Sequence, residues 1–473
     1  MRSLVITLAL ISPVIAAGQS SLPPAPGPQT HITREAAAAG SGLGIFQQQP
    51  TSEMPSAAPA PATGQQQLLT LALAEQMAIR NNPRISVGKL LALAEHQMVR
   101  ETRAGELPTA AGAITAMDAE EASRISAGSL TSSRLLKHVG AGANVTQLIY
   151  DFGHTHNLIL SQKLSAQASD ANAMATTEEI VLATDQAFYD ALTAQAELDV
   201  ARQTVNARQT TETQVGEMTR NKLKSTLDLS FADVDLSQAK LLLLDAQNNS
   251  DSSMAVLDSV LGLDHGEAFR LVEETAAPQP PPPDVDGLIA TALRERPDLQ
   301  ALNLNAQSEQ KYARAEWDQM MPSISAAGTA GTIPVHPGSY YITNWWGAVG
   351  GNISIPIFNG FLYSSQAREA KYRAQADAEN SRDLRDRIVR DVRTSWLEAG
   401  NNWQRMTVTA QLVKQANLAF QLAQTRYKMG LSSIVELSQA QLQQTSAQIQ
   451  DTAARYQYRL SLATLNYETG VAP

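Results

Sequence analysis

The stretch Thr146-Gln147-Leu148-Ile149-Tyr150-Asp151-Phe152 returns as Ser354-Ile355-Pro356-Ile357-Phe358-Asn359-Gly360, with Tyr150 and Phe358 separated by 208 positions. The same offset relates Glu179-Ile180-Val181 to Arg387-Ile388-Val389, Phe188-Tyr189 to Trp396-Leu397, and Asp228-Leu229-Ser230 to Glu436-Leu437-Ser438. Upstream, Asn82-Pro83 pairs with Arg296-Pro297 at an offset of 214, so the copies differ by six residues before the shared stretch. Each match is weak alone, but several on one offset identify a tandem duplication. The copies occupy 67–275 and 286–470, and the linker at 276–285 contains the extended run Pro278-Gln279-Pro280-Pro281-Pro282-Pro283.

Proline marks out the interior of each copy. None occurs between Pro108 and Pro278, or between Pro356 and Pro473, and Leu, Ala and Val recur there at three- and four-residue spacing. Long helices are therefore predicted over 155–220, 226–262, 362–429 and 433–468, with shorter ones over 68–104 and 286–317 opening each copy. A helix of about 65 residues runs about 100 Å, longer than a globular core can use. Between the first and second helices the texture changes to Gly, Ser, Thr and small apolar residues, at 108–148 and 322–356. Trp345, Gly347, Val349, Gly351, Ile353 and Ile355 alternate there with Asn344, Trp346, Ala348, Gly350, Asn352 and Ser354, the period of a strand. Each copy thus carries a β-hairpin of membrane-crossing length, entered at Pro108 or Pro322.

The flanks and composition narrow the class. Residues 1–18 read as an export signal, with Arg2, an apolar run from Leu4 to Ile15, and Ala16-Ala17-Gly18 for cleavage. Residues 19–66, rich in Pro, Ala, Gln, Gly and Ser, read as a disordered extension. With no cysteine, disulfides and a lipid-modified cysteine are both excluded. Charged residues are 17% and aromatics 5%, which suits long helices packed through small side chains. A formal charge of −10 without a basic run speaks against nucleic acid as a partner. Past the signal no run of about 18 apolar residues exists, so a membrane crossing must be a β-barrel.

Two hairpins supply four strands, whereas bacterial membrane barrels need about eight or more. Open strand edges are not tolerated in lipid, so a four-stranded subunit must close its barrel with other subunits. The order helix–hairpin–long helix–helix, with Tyr150-Asp151-Phe152-Gly153 and Pro356-Ile357-Phe358-Asn359-Gly360 after the hairpins, resembles the TolC-like outer-membrane efflux and secretion family. Arg426-Tyr427-Lys428-Met429-Gly430-Leu431 followed by Val435-Glu436-Leu437 is similar to that family's helix-to-helix turn, and the likeness spans 68–470. The resemblance implies a homotrimer with a twelve-stranded β-barrel, a periplasmic α-barrel and an equatorial belt, in the outer membrane of a Gram-negative bacterium. It implies a passive exit duct serving a periplasmic adaptor and an inner-membrane ABC or proton-driven pump, in tripartite efflux or type I secretion. The Tyr150-Asp151-Phe152-Gly153 version and the missing lipid cysteine lean toward protein secretion or broad-range ducts. The rival class is a secreted coiled-coil tether or adhesin, which explains the helices but not the repeated period-two strands.

No catalytic or cofactor motif emerges. His154 and His156, the only close histidine pair, do not share a helical face. Glu120-Glu121 reads as a solvated loop, and Arg382–Asp386 with Asp383–Arg387 as surface pairs. The Gly-Ser stretches Gly128-Ser129 and Gly338-Ser339 lack an elbow pattern. By resemblance, Tyr427 and Asp228 fall where a hydroxyl-to-carboxylate bond latches the periplasmic end, a charge-assisted link. The family's assisting arginine falls at Ser432, with Lys428 and Arg426 the cations nearby; of two acidic rings, Glu436 keeps one and Gln439 replaces the other. The alternative for Glu436 is a solvated acid on a helix end. Tyr340, Tyr341, Trp345 and Trp346 are expected at a membrane interface, or packed inside the barrel or its outer loop.

Overall fold

The structure, a computed structural model of the 473-residue chain, describes residues 67–118, 126, 127, 130, 131, 137–263, 269–273, 277–332 and 345–471. The export signal, the extension up to 66, Glu120-Glu121, the two Gly-Ser stretches, Tyr340 and Tyr341 lie outside the described residues.

The first copy runs β1 (Gln67–Leu69), α1 (Leu71–Asn81), α2 (Pro83–Ala104), β2 (Thr109–Asp118), β3 (Ser126–Ala127), β4 (Leu130–Thr131), β5 (Lys137–Tyr150), α3 (His154–Arg220) and α4 (Thr226–Leu261). Next come β6 (Phe269–Leu271), α5 (Val285–Glu295), α6 (Pro297–Asp318), β7 (Ser323–Thr332), β8 (Trp345–Ser354), α7 (Leu362–Lys428) and α8 (Ile434–Thr469). The long helices α3 and α7 both have 67 residues and α4 and α8 both have 36, each pair displaced by 208. Helices α1 and α5 have 11 residues and α2 and α6 have 22, displaced by 214. The duplication read from scattered matches is therefore a duplication of whole elements.

The single opening helices expected over 68–104 and 286–317 are each broken in two. Asn82 and Arg296 precede proline and take extended backbone, ψ 123° and 121°, because the proline ring excludes the helical conformation from the residue before it. Pro83 and Pro297 then start new helices, where a missing N–H costs nothing. The parallel pairing of β1 with β6 was not foreseen; three residues are too few to show a period.

Strands β2, β5, β7 and β8 form one antiparallel sheet in that order, so β2 and β8 are its open edges. The second hairpin ends at Ser354, short of the expected 356, since Pro356 has no N–H for a ladder. Helix α3 packs against α2, α4, α6 and α8, while α7 packs against α6 and α8. Helices α2 and α4 thus flank one side of the protomer and α7 the other. Equivalent cores sit at mid-height in each copy. Ala78, Ile85 and Ile180 in the first correspond to Ala292, Leu299 and Ile388 in the second.

Candidate gate and membrane-facing surfaces

The tips of the two long hairpins meet through a small apolar cluster of Val215, Ala232, Tyr427, Ile434 and Leu437, edged by Leu229 and Phe420. Tyr427 is 5% exposed, so its ring belongs to this core. Its hydroxyl, like the Ser432 hydroxyl, is buried without a hydrogen-bond partner. Asp228 is close enough that its charge adds to burial in raising the Tyr427 pKa. The expected bond between them is not formed, and Asp228 instead caps its own helix. Its carboxylate accepts from the Ser225 N–H at 3.3 Å, and the Ser225 hydroxyl accepts from the Asp228 N–H at 3.2 Å.

Cations also sit differently from expectation. Arg426 pairs with Glu436 at 3.4 Å, which places the acid of the expected ring in an exposed ion pair. Gln439 and Lys428 are exposed. Lys224, which the sequence reading passed over, rests with its Nζ 4.2 Å from the centre of the Tyr427 ring. The repeat carried a signal for it, since Lys224 is the counterpart of Ser432 at the offset of 208.

Above the tips the two hairpins are joined by polar groups. The Gln441 amide donates to the Thr211 hydroxyl at 3.3 Å, and Thr204 lies 3.5 Å from Thr445. Arg208, 7% exposed, pairs with Asp235 at 3.3 Å; burial lowers its pKa against the pull of that carboxylate. Higher still, α1, α3 and α8 enclose a cavity lined by Glu75, Glu178, Asp185, Arg459 and Tyr467. Burial, then the Glu75 carboxyl hydrogen-bonded to it, pushes Asp185 up to about 8.

The register divides the sheet into two unlike faces. Thr109, Asn144, Thr146, Ser325, Thr329, Asn352 and Ser354 share one face, and Ile114, Val145, Ile324, Val349 and Ile353 share the other. Small polar groups on one side and aliphatic groups on the other suit a barrel with a watery lumen and a lipid exterior. Trp345 and Trp346 consequently point to opposite sides. Trp345 stands on the apolar face, 74% exposed. Trp346 lies over Gly331, where an added Cβ would meet its ring at 2.7 Å, and over Gly142. The expected interface pair is therefore split, with Trp346 filling space that two glycines leave on the polar face.

A second aromatic group lies where the strands hand over to the long helices. The Tyr150 and Phe152 rings pack at a tilt with centres 4.8 Å apart, and Phe358 and Phe361 meet edge-to-face at 5.5 Å. Ile357 and Phe358 are 94% and 76% exposed, and no charged residue occurs from Trp345 to Leu362. The histidine pair is spoken for differently, as His154 Nδ1 lies 2.9 Å from the Ala315 carbonyl. Of the surface pairs, Arg387–Asp383 forms at 2.9 Å, while Arg382 turns to Glu379 at 3.7 Å. Among the described residues no group of acids and histidines is arranged to hold a metal ion, and no helix is long and apolar enough to cross a membrane.

A two-faced four-stranded sheet continued by paired 67-residue helices defines a subunit of a membrane duct. Residues 74–263 and 288–471 match the model of the family described as outer membrane efflux protein, one segment for each copy. The chain belongs to that family: it is an outer-membrane efflux channel of the TolC type, a transport protein of Gram-negative bacteria and not an enzyme. It is 22% identical to outer membrane protein TolC of Escherichia coli over 70% of this chain and 69% of that protein. Its fold is similar to outer membrane protein VceC from Vibrio cholerae, with a TM-score of 0.73 at 18% identity, covering 85% of this chain and 96% of that one. It is also similar to the open state of the Neisseria gonorrhoeae MtrE channel, with a TM-score of 0.68 at 19% identity over 85% and 89% of the two chains. Family membership removes the tether reading.

Proposed function

We propose that three copies close head-to-tail into a twelve-stranded barrel and an α-helical sleeve, forming a passive exit duct gated at the helix tips. The observation that carries this is the pair of contacts between the two copies inside one chain. Strand β5, the last of the first copy, pairs with β7, the first of the second. Helix α3 packs on α6 and α8 of the second copy. By the duplication, β8 is the counterpart of β5, and β2 of β7, so β8 of one chain fits the open β2 edge of the next. Likewise α7, the counterpart of α3, fits α2 and α4 of the next chain. The flanks suit this: Leu227, Phe231, Leu241 and Leu244 on α4 and Leu397, Val408, Leu412 and Leu422 on α7 are exposed apolar residues awaiting cover. Such an interface is heterologous and must close into a ring to avoid an open fibre.

In this reading the gate comprises Tyr427, Asp228 and Ser432, and three copies of Glu436 make a cation-attracting ring beside Gln439. The apolar sheet face with Trp345 and the Tyr150, Phe152, Phe358 and Phe361 group contacts outer-membrane lipid. Substrate is driven by an inner-membrane ABC or proton-driven pump through a periplasmic adaptor, residues 1–18 direct export, and 67–275 and 286–470 act as the two structural units. Because the chain has no cysteine, single cysteines on β2 and β8 test the ring. Paired in one chain, they are expected to cross-link purified protein into closed trimers. Open ladders of increasing size, or cross-links only within one chain, would overturn it.

A further inference from the structure

The tips present a contact that the hydroxyl-to-carboxylate link does not account for. Asp228 is engaged with Ser225, and the Tyr427 hydroxyl has no partner, yet the two tips are in contact. The charged group on Tyr427 is Lys224, 4.2 Å above the ring centre. Lys224 comes from the connection between α3 and α4, and Tyr427 from the last turn of α7, so this contact joins one hairpin to the other.

The connection is built to hold that lysine in place. The Leu223 N–H donates to the Met218 carbonyl at 2.8 Å, and the Asn221 amide donates to the Glu217 carbonyl at 2.9 Å. Lys222 takes the left-handed conformation, φ 62°, which turns the chain so that residue 224 follows directly before the Ser225 cap. The Thr219 hydroxyl donates to the Ser225 carbonyl at 3.3 Å and closes the loop. The neighbouring arginines are committed elsewhere, Arg220 to Glu217 and Arg426 to Glu436. The two tips have also diverged in a complementary way. The counterpart of Lys224 in the second tip is Ser432, and the counterpart of Tyr427 in the first is Thr219, so each tip supplies one half of the pair.

We infer that Lys224 is a gate residue, whose ammonium on the face of the Tyr427 ring clasps the first helical tip to the second in the closed duct. The inference rests on the reading of these tips as the gate. A cation on an aromatic face is held by the ring's quadrupole, and the negative charge of Asp228 nearby favours it further. The link needs the ring and the positive charge, but not the hydroxyl. It is also weakly directional, so the hairpins can slide apart without an unpaired buried donor being left behind.

The test is single-channel conductance of the full-length trimer in planar bilayers, with heat-modifiable migration to verify assembly. Lys224→Met and Tyr427→Leu are expected to raise open probability about two- to tenfold, the range that loss of such a contact gives. Lys224→Arg and Tyr427→Phe keep charge and ring and are expected to behave as the parent. The double variant Lys224→Met with Tyr427→Leu is expected to open no more than either single one. A Tyr427→Phe channel as open as Lys224→Met would overturn the clasp in favour of a hydroxyl latch, and an unchanged Lys224→Met channel would overturn it outright. Channels that conduct alike in all variants, with trimers intact, leave the duct standing and remove the gate; intact trimers that conduct in neither the parent nor any variant remove both.

Discussion

Asp185 sits in the middle of α3, 6% exposed, with one carboxylate oxygen unpartnered and its hydrogen-bonding neighbour, Glu75, also an acid. The groups facing it are Glu75 from α1, Glu178 and Tyr189 from its own helix, and Arg459 and Tyr467 from α8. Two carboxyls can share a hydrogen bond only while one keeps its proton, and burial favours the neutral form. An aspartate in an unfolded chain titrates near 4, and Asp185 in the folded one at about 8. Between these values the folded chain holds a proton that the unfolded chain has released, so raising the pH drains stability across that window. Asp185→Asn, which needs no proton, is predicted to raise the melting temperature above about pH 8.5 and to change it little near pH 4. Thermal unfolding at the two pH values checks this; an equal shift at both would sink it. At the counterpart positions of the second copy stand Arg393 and Ile289, so the acid pair is a specialisation of the first. Sequence alone gave no reason to single out Asp185 among many helical acids, because its burial depends on α1 and α8 closing over it.

At the scale of elements, the turns decide where helices begin and end. Both long helices start after two consecutive left-handed residues, Phe152 and Gly153 before α3, and Gly360 and Phe361 before α7. Each copy gives glycine to only one of the two positions, and not to the same one. The phenylalanine in each pair is held in a conformation that side chains resist, and its ring packs against Tyr150 or Phe358. The helix ends are more exacting. Gly262 closes α4 with φ 71°, and a Cβ there would lie 2.9 Å from the Asn81 carbonyl oxygen. Gly430, φ 74°, has open space around it. Gly430→Ala is therefore predicted to cost about 1 kcal/mol, the conformational term alone. Gly262→Ala adds a backbone clash and should cost about 2–4 kcal/mol. Equal losses in denaturant unfolding of the two variants would refute the distinction. The sequence displayed these glycines, but the approach of Asn81 to Gly262 spans the whole first copy and is invisible in it.

For the whole molecule, the two faces of the sheet are the feature on which membrane insertion turns. Val349 is 92% exposed on the aliphatic face, and Asn352 belongs to the polar one. An arginine facing lipid near the midplane costs about 2–4 kcal/mol, whereas the lumen tolerates charge. Val349→Arg is predicted to cut the yield of heat-modifiable trimer in outer-membrane fractions severalfold, and Asn352→Arg to leave it intact while altering ion selectivity. The reverse ranking would mean that the faces are assigned the wrong way round.

The sequence by itself determined the duplication, the long helices, the hairpins and the family, because these rest on periodicity, proline spacing and an offset that one chain displays in full. Scattered matches such as Glu179-Ile180-Val181 with Arg387-Ile388-Val389 sufficed, since each copy repeats the same local physics. Only the tertiary structure decided what the residues of the helix tips touch. Tyr427 lies on one hairpin and Asp228 and Lys224 on the other, and a partner is chosen there by capping, burial and the turn of a loop. Asp228 caps its own helix end, the Tyr427 hydroxyl stays without a partner, and Lys224 rests on the Tyr427 ring.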